Sequence, residues 1–252
     1  MSGHSKWATI KRKKAKVDAQ RGKIFTKLIR EILTSAREGG GDLENNARLR
    51  TAVQSARESN MPYENIERAI KRGTGELDGV SYETATFEGY APGGIAILVI
   101  TLTDNRNRTS SEIRHLFTRH GGHMTEPNSV SYMFEKKGVI VVEGTQASED
   151  RVFEIALENG ADDVRSEGGS FEIVCPPDAF ESLRVKLREA KIATQMAELA
   201  LYPKTAVKLE RDAAVKVLKL VSSLEDLDDV QNVAGNFDIS DEILKTIEGE
   251  LG

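Results

Sequence analysis

Cysteine is almost missing from this chain of 252 residues: there is one, Cys175. A single cysteine excludes an intramolecular disulfide and suits a reducing compartment, so the expected location is the cytoplasm. Long apolar runs are also missing. The longest, "GIAILVI" at 94–100, has the length of a strand and falls far short of the roughly 20 residues that cross a bilayer, so no membrane partner is expected. No apolar segment follows the positively charged N-terminus, and a secretory signal is therefore not expected.

Motifs for chemistry are equally scarce. Three of the four histidines, His115, His120 and His123, fall close together. The i, i+4 spacing of a helical zinc pair is absent among them, and so is any CxxC, so no metal is expected. "APGGIA" and "GTGELDG" are glycine-rich, yet neither is a P-loop nor a strand-linked GxGxxG. There is no GxSxG and no assignable pair of carboxylates. Cys175 lies in an apolar strand and reads as core rather than nucleophile. The expectation is a protein that is not an enzyme, with no cofactor and no small-molecule substrate.

Charge is plentiful but unevenly placed. Residues 1–30 carry ten Lys/Arg and one acid, a net of +9, residues 31–72 are neutral, and residues 73–252 carry a net of −14. Such asymmetry suggests a basic arm for a polyanion on a body that does something else. The arm comprises Lys6, Lys11, Arg12, Lys13, Lys14, Lys16, Arg21, Lys23, Lys27 and Arg30. Lys and Arg at this density neutralise phosphates and release counterions. Trp7 lies among them and either stacks on an unpaired base or packs on the protein. Two further basic groups stand out. "NMPYENIERAIKRG" presents Arg68, Lys71 and Arg72 on the polar face of a helix. "TDNRNRT" places Asn105, Arg106, Asn107 and Arg108 before a helix N-terminus, either as a phosphate site or as a well-capped surface loop.

The periodicities divide the chain. "IFTKLIREILTSAREGG" sets Phe25, Leu28, Ile29, Ile32, Leu33 and Ala36 on one helical stripe, stopped by Gly39, Gly40 and Gly41. A second helix carries Leu49, Ala52, Val53 and Ala56. A third has Pro62 in its first turn, buries Ile66, Ala69 and Ile70, and ends at Gly73. After "GTGELDG" strand signals take over. "YETATFEGY" and "GIAILVITLTD" turn through "APGG". "NRTSSEIRHLFTRHGG" reads as a helix with a Thr109–Glu112 capping box, and "VSYMFE" as a strand. Residues 138–203 follow a β-α-β-β-α-β order, the ferredoxin-like pattern. The segment after it supplies a helix and one strand, which is what the preceding β-β-α-β segment lacks. The expected fold is α+β and multidomain. It has a basic helical domain at 1–78, a discontinuous α+β domain at 79–136 and 205–248, and a ferredoxin-like domain inserted at 137–204.

The stretches "GHSKWATIKRKKAKVDAQRGKIFTKLIREI", "NMPYENIERAIKRGTG" and "EGYAPGGIAILVITLTDNRNRT", with the spacing between them, resemble the YebC/PmpR family over the whole chain. The resemblance implies three domains, one helical and two α+β with one inserted in the other. It also implies a regulator of gene expression. Relatives include bacterial proteins described as probable transcriptional regulators and a mitochondrial translational activator. One stretch departs from the family pattern. Where many relatives read "GGxLGxxGSVxxxF", this chain has Met124, Thr125, Glu126, Pro127 and Asn128 in "GGHMTEPNSVSYMF".

Three functions follow as alternatives. The favoured one is a ribosome-associated translation factor that meets rRNA through its N-terminal basic region. The second is a DNA-binding transcriptional regulator that meets duplex DNA through the same region. The third is an enzyme of unrecognised type. A Lys-rich arm reads phosphates rather than bases, and no helix-turn-helix is evident. The acidic body opposes close contact with nucleic acid, so only the N-terminal region should face it.

Overall fold

A computed structural model describes residues 18–167 and 169–247. Three helices come first, α1 (Asp18–Gly39), α2 (Ala47–Glu58) and α3 (Tyr63–Gly73). Their apolar stripes meet in one core that includes Ile32, Ala36, Leu49, Val53, Ala56, Ile66 and Ala69. Fully burying side chains of the Ile and Leu size stabilises by about 1.5–3 kcal/mol each, which suffices to hold short helices that would be marginal alone.

Two polar details fix how these helices meet. The side chain of Asn46 caps α2, its Oδ1 accepting from the backbone N–H of Leu49 at 3.0 Å. Its Nδ2 donates to the carbonyls of Ser35 at 2.7 Å and Gly40 at 2.8 Å, where α1 ends. One buried amide thus serves the end of one helix and the start of the next. Gly73 closes α3 because of contact: a Cβ there would lie 2.5 Å from the carbonyl oxygen of Leu33.

The chain then runs through β1 (Glu83–Ala91), β2 (Ile95–Thr103), α4 (Arg106–Arg119), β3 (His123–Thr125) and a 3-10 turn at Ser131–Met133. It continues with β4 (Phe134–Glu143), α5 (Glu149–Glu158), β5 (Asp163–Glu167), β6 (Ser170–Cys175), α6 (Pro177–Glu189) and β7 (Thr194–Pro203). The last elements are β8 (Val207–Lys208), α7 (Arg211–Glu225), β9 (Val230–Gly235), β10 (Phe237–Asp238) and α8 (Asp241–Ile247). Here "VSYMFE" is not a strand of its own: it divides between the 3-10 turn and the start of β4, a continuous strand paired with β7 from Phe134 to Val142. The capping box is also revised. Asn105 caps α4 by accepting from the N–H of Arg108 at 3.1 Å, while Thr109 lies buried inside the first turn.

Strand order in the first sheet is β3-β1-β2-β9. Its last member comes from the far end of the chain and lies antiparallel to β2, with Ile97 opposite Gly235 and Val99 opposite Val233. Ile95, Ile97 and Val99 of β2 pack with Ile113 and Phe117 of α4 and with Val217, Leu218 and Val221 of α7. The alternate residues Ala96 and Leu98 turn to the other face, against Val130, Phe134 and Ala234. The period of two along β2 therefore serves two cores at once. The second sheet, β5-β6-β4-β7, is antiparallel and carries α5 and α6 against Ile140, Val142, Phe171 and Ile173. This unit is ferredoxin-like.

The stretch from Asn128 to Ser131 is pinned by a buried acid. Glu88, 4% exposed, accepts from the backbone N–H groups of Asn128 at 2.8 Å, Val130 at 2.6 Å and Ser131 at 3.0 Å. Burial alone would raise this carboxyl's pKa, but the three backbone donors carry it below the ordinary glutamate value. Asn128 holds the left-handed position, φ 68°, which asparagine tolerates better than most residues.

Asn46→Ala should cost the bundle about 2 kcal/mol or more, since it removes a cap and leaves two helix-end carbonyls without their donor. Urea unfolding with an unchanged slope and a lower midpoint is the expected reading. A loss below about 0.5 kcal/mol, the usual scale of a surface change, would show that Asn46 does not link α1 to α2.

Candidate nucleic-acid interface

Of the predicted basic residues, Lys6, Trp7, Lys11, Arg12, Lys13, Lys14 and Lys16 lie outside the described residues. The arm continues as α1, which includes Arg21. Spacing of i, i+4, i+7 puts Lys23, Lys27 and Arg30 on one face of this helix. That face meets the protein's own body. Lys27 Nζ donates to the carbonyl of Glu225 at 2.6 Å, so a cation sits on the last turn of α7, where the helix dipole favours positive charge. Lys23 Nζ lies 3.5 Å from Asp226 Oδ1, an exposed pair worth little by itself.

Arg30 makes the decisive contacts. Its Nη1 pairs with Asp229 Oδ1 and donates to the carbonyl of Leu102 at 3.3 Å, and its guanidinium lies 5.0 Å from the centre of the Tyr82 ring. The other oxygen of the same carboxylate, Asp229 Oδ2, accepts from Arg108 Nη2 at 2.7 Å, from Thr103 Oγ1 at 3.1 Å and from Thr109 Oγ1. The backbone carbonyl of Asp229 accepts from the N–H of Leu102 at 2.8 Å. One acid thus joins α1, the end of β2, the first turn of α4 and the loop that leads into β9.

Asp229 has a side chain only 6% exposed, and burial would raise its pKa. Hydrogen bonds from Thr109, Arg108 and Arg30, with the charge of Arg30, win and hold the carboxyl down at about 2, against 3.8 ordinarily. Arg108 is stabilised as a cation in return, by its hydrogen bonds to Asp229 and then to Asp104 at 2.7 Å. Its side chain is 43% exposed, so it reaches both the hub and the surface.

The sequence paired Arg106 and Arg108 as a phosphate site, and the structure separates their surroundings. Arg108 is held by two carboxylates, whereas Arg106 is exposed and makes no ion pair among the described residues. On α3, Lys71 pairs with Glu67 at 2.9 Å, while Arg68 and Arg72 are exposed and likewise make no ion pair among the described residues. Arg68, Arg72 and Arg106 are therefore the described candidates whose charge faces solvent without an internal counter-charge. Asp229 and Tyr82 escaped the sequence reading. Asp229 sits in the acidic run "LEDLDD", and nothing in a run of like residues marks which member turns inward.

Among the described residues no group of His, Cys, Asp or Glu is arranged to hold a metal ion, and no helix is long and apolar enough to cross a membrane. His120 meets Ser223 of α7 at 3.3 Å, and His123 faces the Tyr90 ring from β3. Cys175 is fully buried, and that burial pushes its thiol up to about 11, away from nucleophilic use at neutral pH.

Because the Asp229 carboxyl falls from 3.8 to about 2 on folding, its contribution to stability is complete above 3.8 and is lost as pH drops through about 2. At about 1.4 kcal/mol per pKa unit this amounts to on the order of 2 kcal/mol. Melting temperatures of the wild type should fall between pH 5 and pH 2 more steeply than those of Asp229→Asn. Equal slopes would show that the hub is not a site of acid sensitivity. At neutral pH, Arg108→Ala should cost about 1–2 kcal/mol and Arg106→Ala less than about 0.5 kcal/mol.

Comparison with known proteins agrees along nearly the whole chain. Residues 5–76 match the model of the TACO1/YebC protein N-terminal domain, and residues 82–237 match that of the TACO1/YebC second and third domain. A protein of Pelotomaculum thermopropionicum named "Probable transcriptional regulatory protein" is 55% identical over 96% of this chain and 100% of its own length. One of the same name from Syntrophobacter fumaroxidans is 53% identical over 98% of this chain and 100% of its own. The crystal structure of a conserved hypothetical protein, Aq1575 of Aquifex aeolicus, superposes with a TM-score of 0.81 at 48% identity, covering 91% of this chain and 95% of that one.

Proposed function

The chain belongs to the TACO1/YebC family, and we propose that it is a nucleic-acid-binding regulator of gene expression that acts on the ribosome as a translation factor. In this reading the basic helical domain, residues 1–78, makes the contacts. The discontinuous unit of residues 79–136 and 205–248 and the ferredoxin-like unit of residues 137–204 stay at the periphery. The observation that carries the reading is the division of charge, +9 over residues 1–30 against −14 over residues 73–252. An acidic body is repelled by a duplex, so a protein built this way approaches nucleic acid from one end.

The contacts assigned to that end are Lys6, Trp7, Lys11, Arg12, Lys13, Lys14, Lys16, Arg21, Arg68 and Arg72; Arg106, at the start of α4, is one further contact and the single one assigned to the discontinuous unit. Lys23, Lys27, Lys71 and Arg108 contribute chiefly by shaping the surface, since each has an internal partner. A reader of specific DNA gains about 4–10 kcal/mol over random sequence, chiefly from base edges and DNA deformation. Lys27 and Arg30 of α1 are bonded to the body, which removes those two side chains from any groove. Structured RNA offers phosphates to the arm and splayed bases to Trp7 without a sequence code.

The names of the relatives favour the second reading, a DNA-binding transcriptional regulator, and the same arm would serve it. Co-sedimentation with ribosomes, set against competition between a promoter and its scrambled copy, separates the two. The expected outcome is ribosome association at physiological salt with no promoter preference. A promoter preference of about a hundredfold or more, within the range of specific regulators, together with no co-sedimentation, would reverse the conclusion. Removing residues 1–16 should reduce the slope of log K against log salt by several units, at about 0.9 per phosphate contact on duplex DNA. Trp7→Ala should weaken ribosome association more than duplex binding.

A further inference from the structure

The ferredoxin-like unit carries cations of its own. On α6, Arg184 and Arg188 lie one turn apart, and Lys191 follows in the turn to β7. With Val185, Ile192 and Thr194 they line an open groove of about 380 Å³ between α6 and the start of β7. One acid, Glu181, shares the groove and pairs with Arg184 at 3.1 Å. Arg188 and Lys191 are exposed and make no ion pair among the described residues. Net positive charge therefore sits over an apolar floor, where Ile192 is buried and Val185 half-buried.

Beside this groove the sheet ends. In the order β5-β6-β4-β7 only β4 pairs with β7 among the described residues. The far end of β7 approaches the first sheet through Leu201. Its beginning is open: Thr194 is exposed, and so is Leu199, at 41%. Alternate backbone N–H and C=O groups on the outer side of an edge strand form a row that an added strand can match. We propose that the α6–β7 groove is a protein-binding site: an extended acidic segment of a partner protein adds to β7 as a further strand and sets its carboxylates against Arg184, Arg188 and Lys191.

A phosphate backbone would use the cations but neither the apolar floor nor the row of backbone groups, whereas an extended peptide uses all three. Lys191 supports the choice of charge. The N–H of Ile192 donates to the carbonyl of Leu187 at 2.9 Å, which closes α6 in the way that glycine-ended helices close. Lys191 holds the left-handed position of that closure, φ 60°, where glycine carries no strain. The helix dipole accounts for a cation in the last turn, as at Arg188, but not for a side chain in this position. The strain is kept where a cation borders the groove. The site lies wholly within residues 177–199, so it stands or falls apart from the nucleic-acid reading.

The test uses the full chain and a ten-residue peptide of alternating glutamate and valine, blocked at both ends, at neutral pH. Hydrogen exchange of the β7 amides is the readout, because peptide held by cations elsewhere on the chain leaves those amides unprotected. The peptide should slow exchange within residues 194–199. Its lysine–valine counterpart and a copy N-methylated at every residue should not. Arg188→Glu replaces attraction by repulsion and should raise the peptide concentration required by about tenfold or more. Lys191→Gly should raise it several-fold, roughly the scale of one exposed ion pair. Lys191→Gly should melt no lower than the wild type, since relief of the left-handed strain offsets the added freedom of the unfolded chain. Absence of protection, equal protection by the N-methylated copy, or protection that Arg188→Glu leaves unchanged would overturn the proposal. Protection by poly(U) in place of the peptide would assign the groove to RNA, and protection that rises with protein concentration alone would assign the edge to a second copy. Either outcome overturns it as well.

Discussion

Burial of Asp229 is the constraint on which the arrangement of the helices and the first sheet depends. A carboxylate removed from water is costly unless cations and hydrogen-bond donors surround it. Here two arginines and two threonines do so, and they come from α1, β2 and α4. α1, the β2–α4 junction and Asp229 itself are distant in sequence from one another, so the need to satisfy one acid fixes their mutual placement. The β2–β9 pairing supports the same point, because the backbone of Asp229 is bonded to Leu102 just beyond the last register pair, Thr101 with Val230. Withdrawing any one donor leaves the charge short of partners in a largely buried site. The hub therefore resists piecemeal loosening.

Glu88 shows the other way to bury an acid. No cation approaches it among its hydrogen-bond partners. Three backbone N–H groups converge on its two oxygens. The stretch from Asn128 to Ser131 is thus wrapped around a fixed charge, and Val130 is pressed into the small core shared by the two sheets. This segment reaches an ordered turn with Pro127 and a left-handed Asn128. The backbone donors, rather than glycine's freedom, hold it.

The described candidate cations divide by what they face. Lys27 and Arg30 are bonded to the body, and their charge is largely answered within the molecule. Arg68, Arg72 and Arg106 face solvent. A count of basic residues along the chain therefore overstates the charge available to a polyanion in α1. The acidic character of the body has a local use as well, since Asp226 and Asp229 are the groups that receive the helix.

Much of this protein follows from residue order alone. The three helical stripes, the alternation in β1 and β2, and the β-α-β-β-α-β succession are local periodicities, and each names its element because one face must leave water. The imbalance of charge and the absence of metal and nucleophile motifs are properties of composition and spacing, and they too need no coordinates. Tertiary structure decided what local pattern cannot encode. Thr109 reads as a cap from its spacing to Glu112, yet it points at an acid 120 residues away. Arg106 and Arg108 are equivalent in sequence, and only the fold gives Arg108 two carboxylates and leaves Arg106 in solvent. Asp226, Asp228 and Asp229 are three acids in a short run, and only the place where β9 begins turns the last of them inward. The physical reason is common to all three cases. Helix and strand periods arise from neighbours along the chain, whereas a buried charge selects its partners from whatever the fold brings within hydrogen-bonding distance.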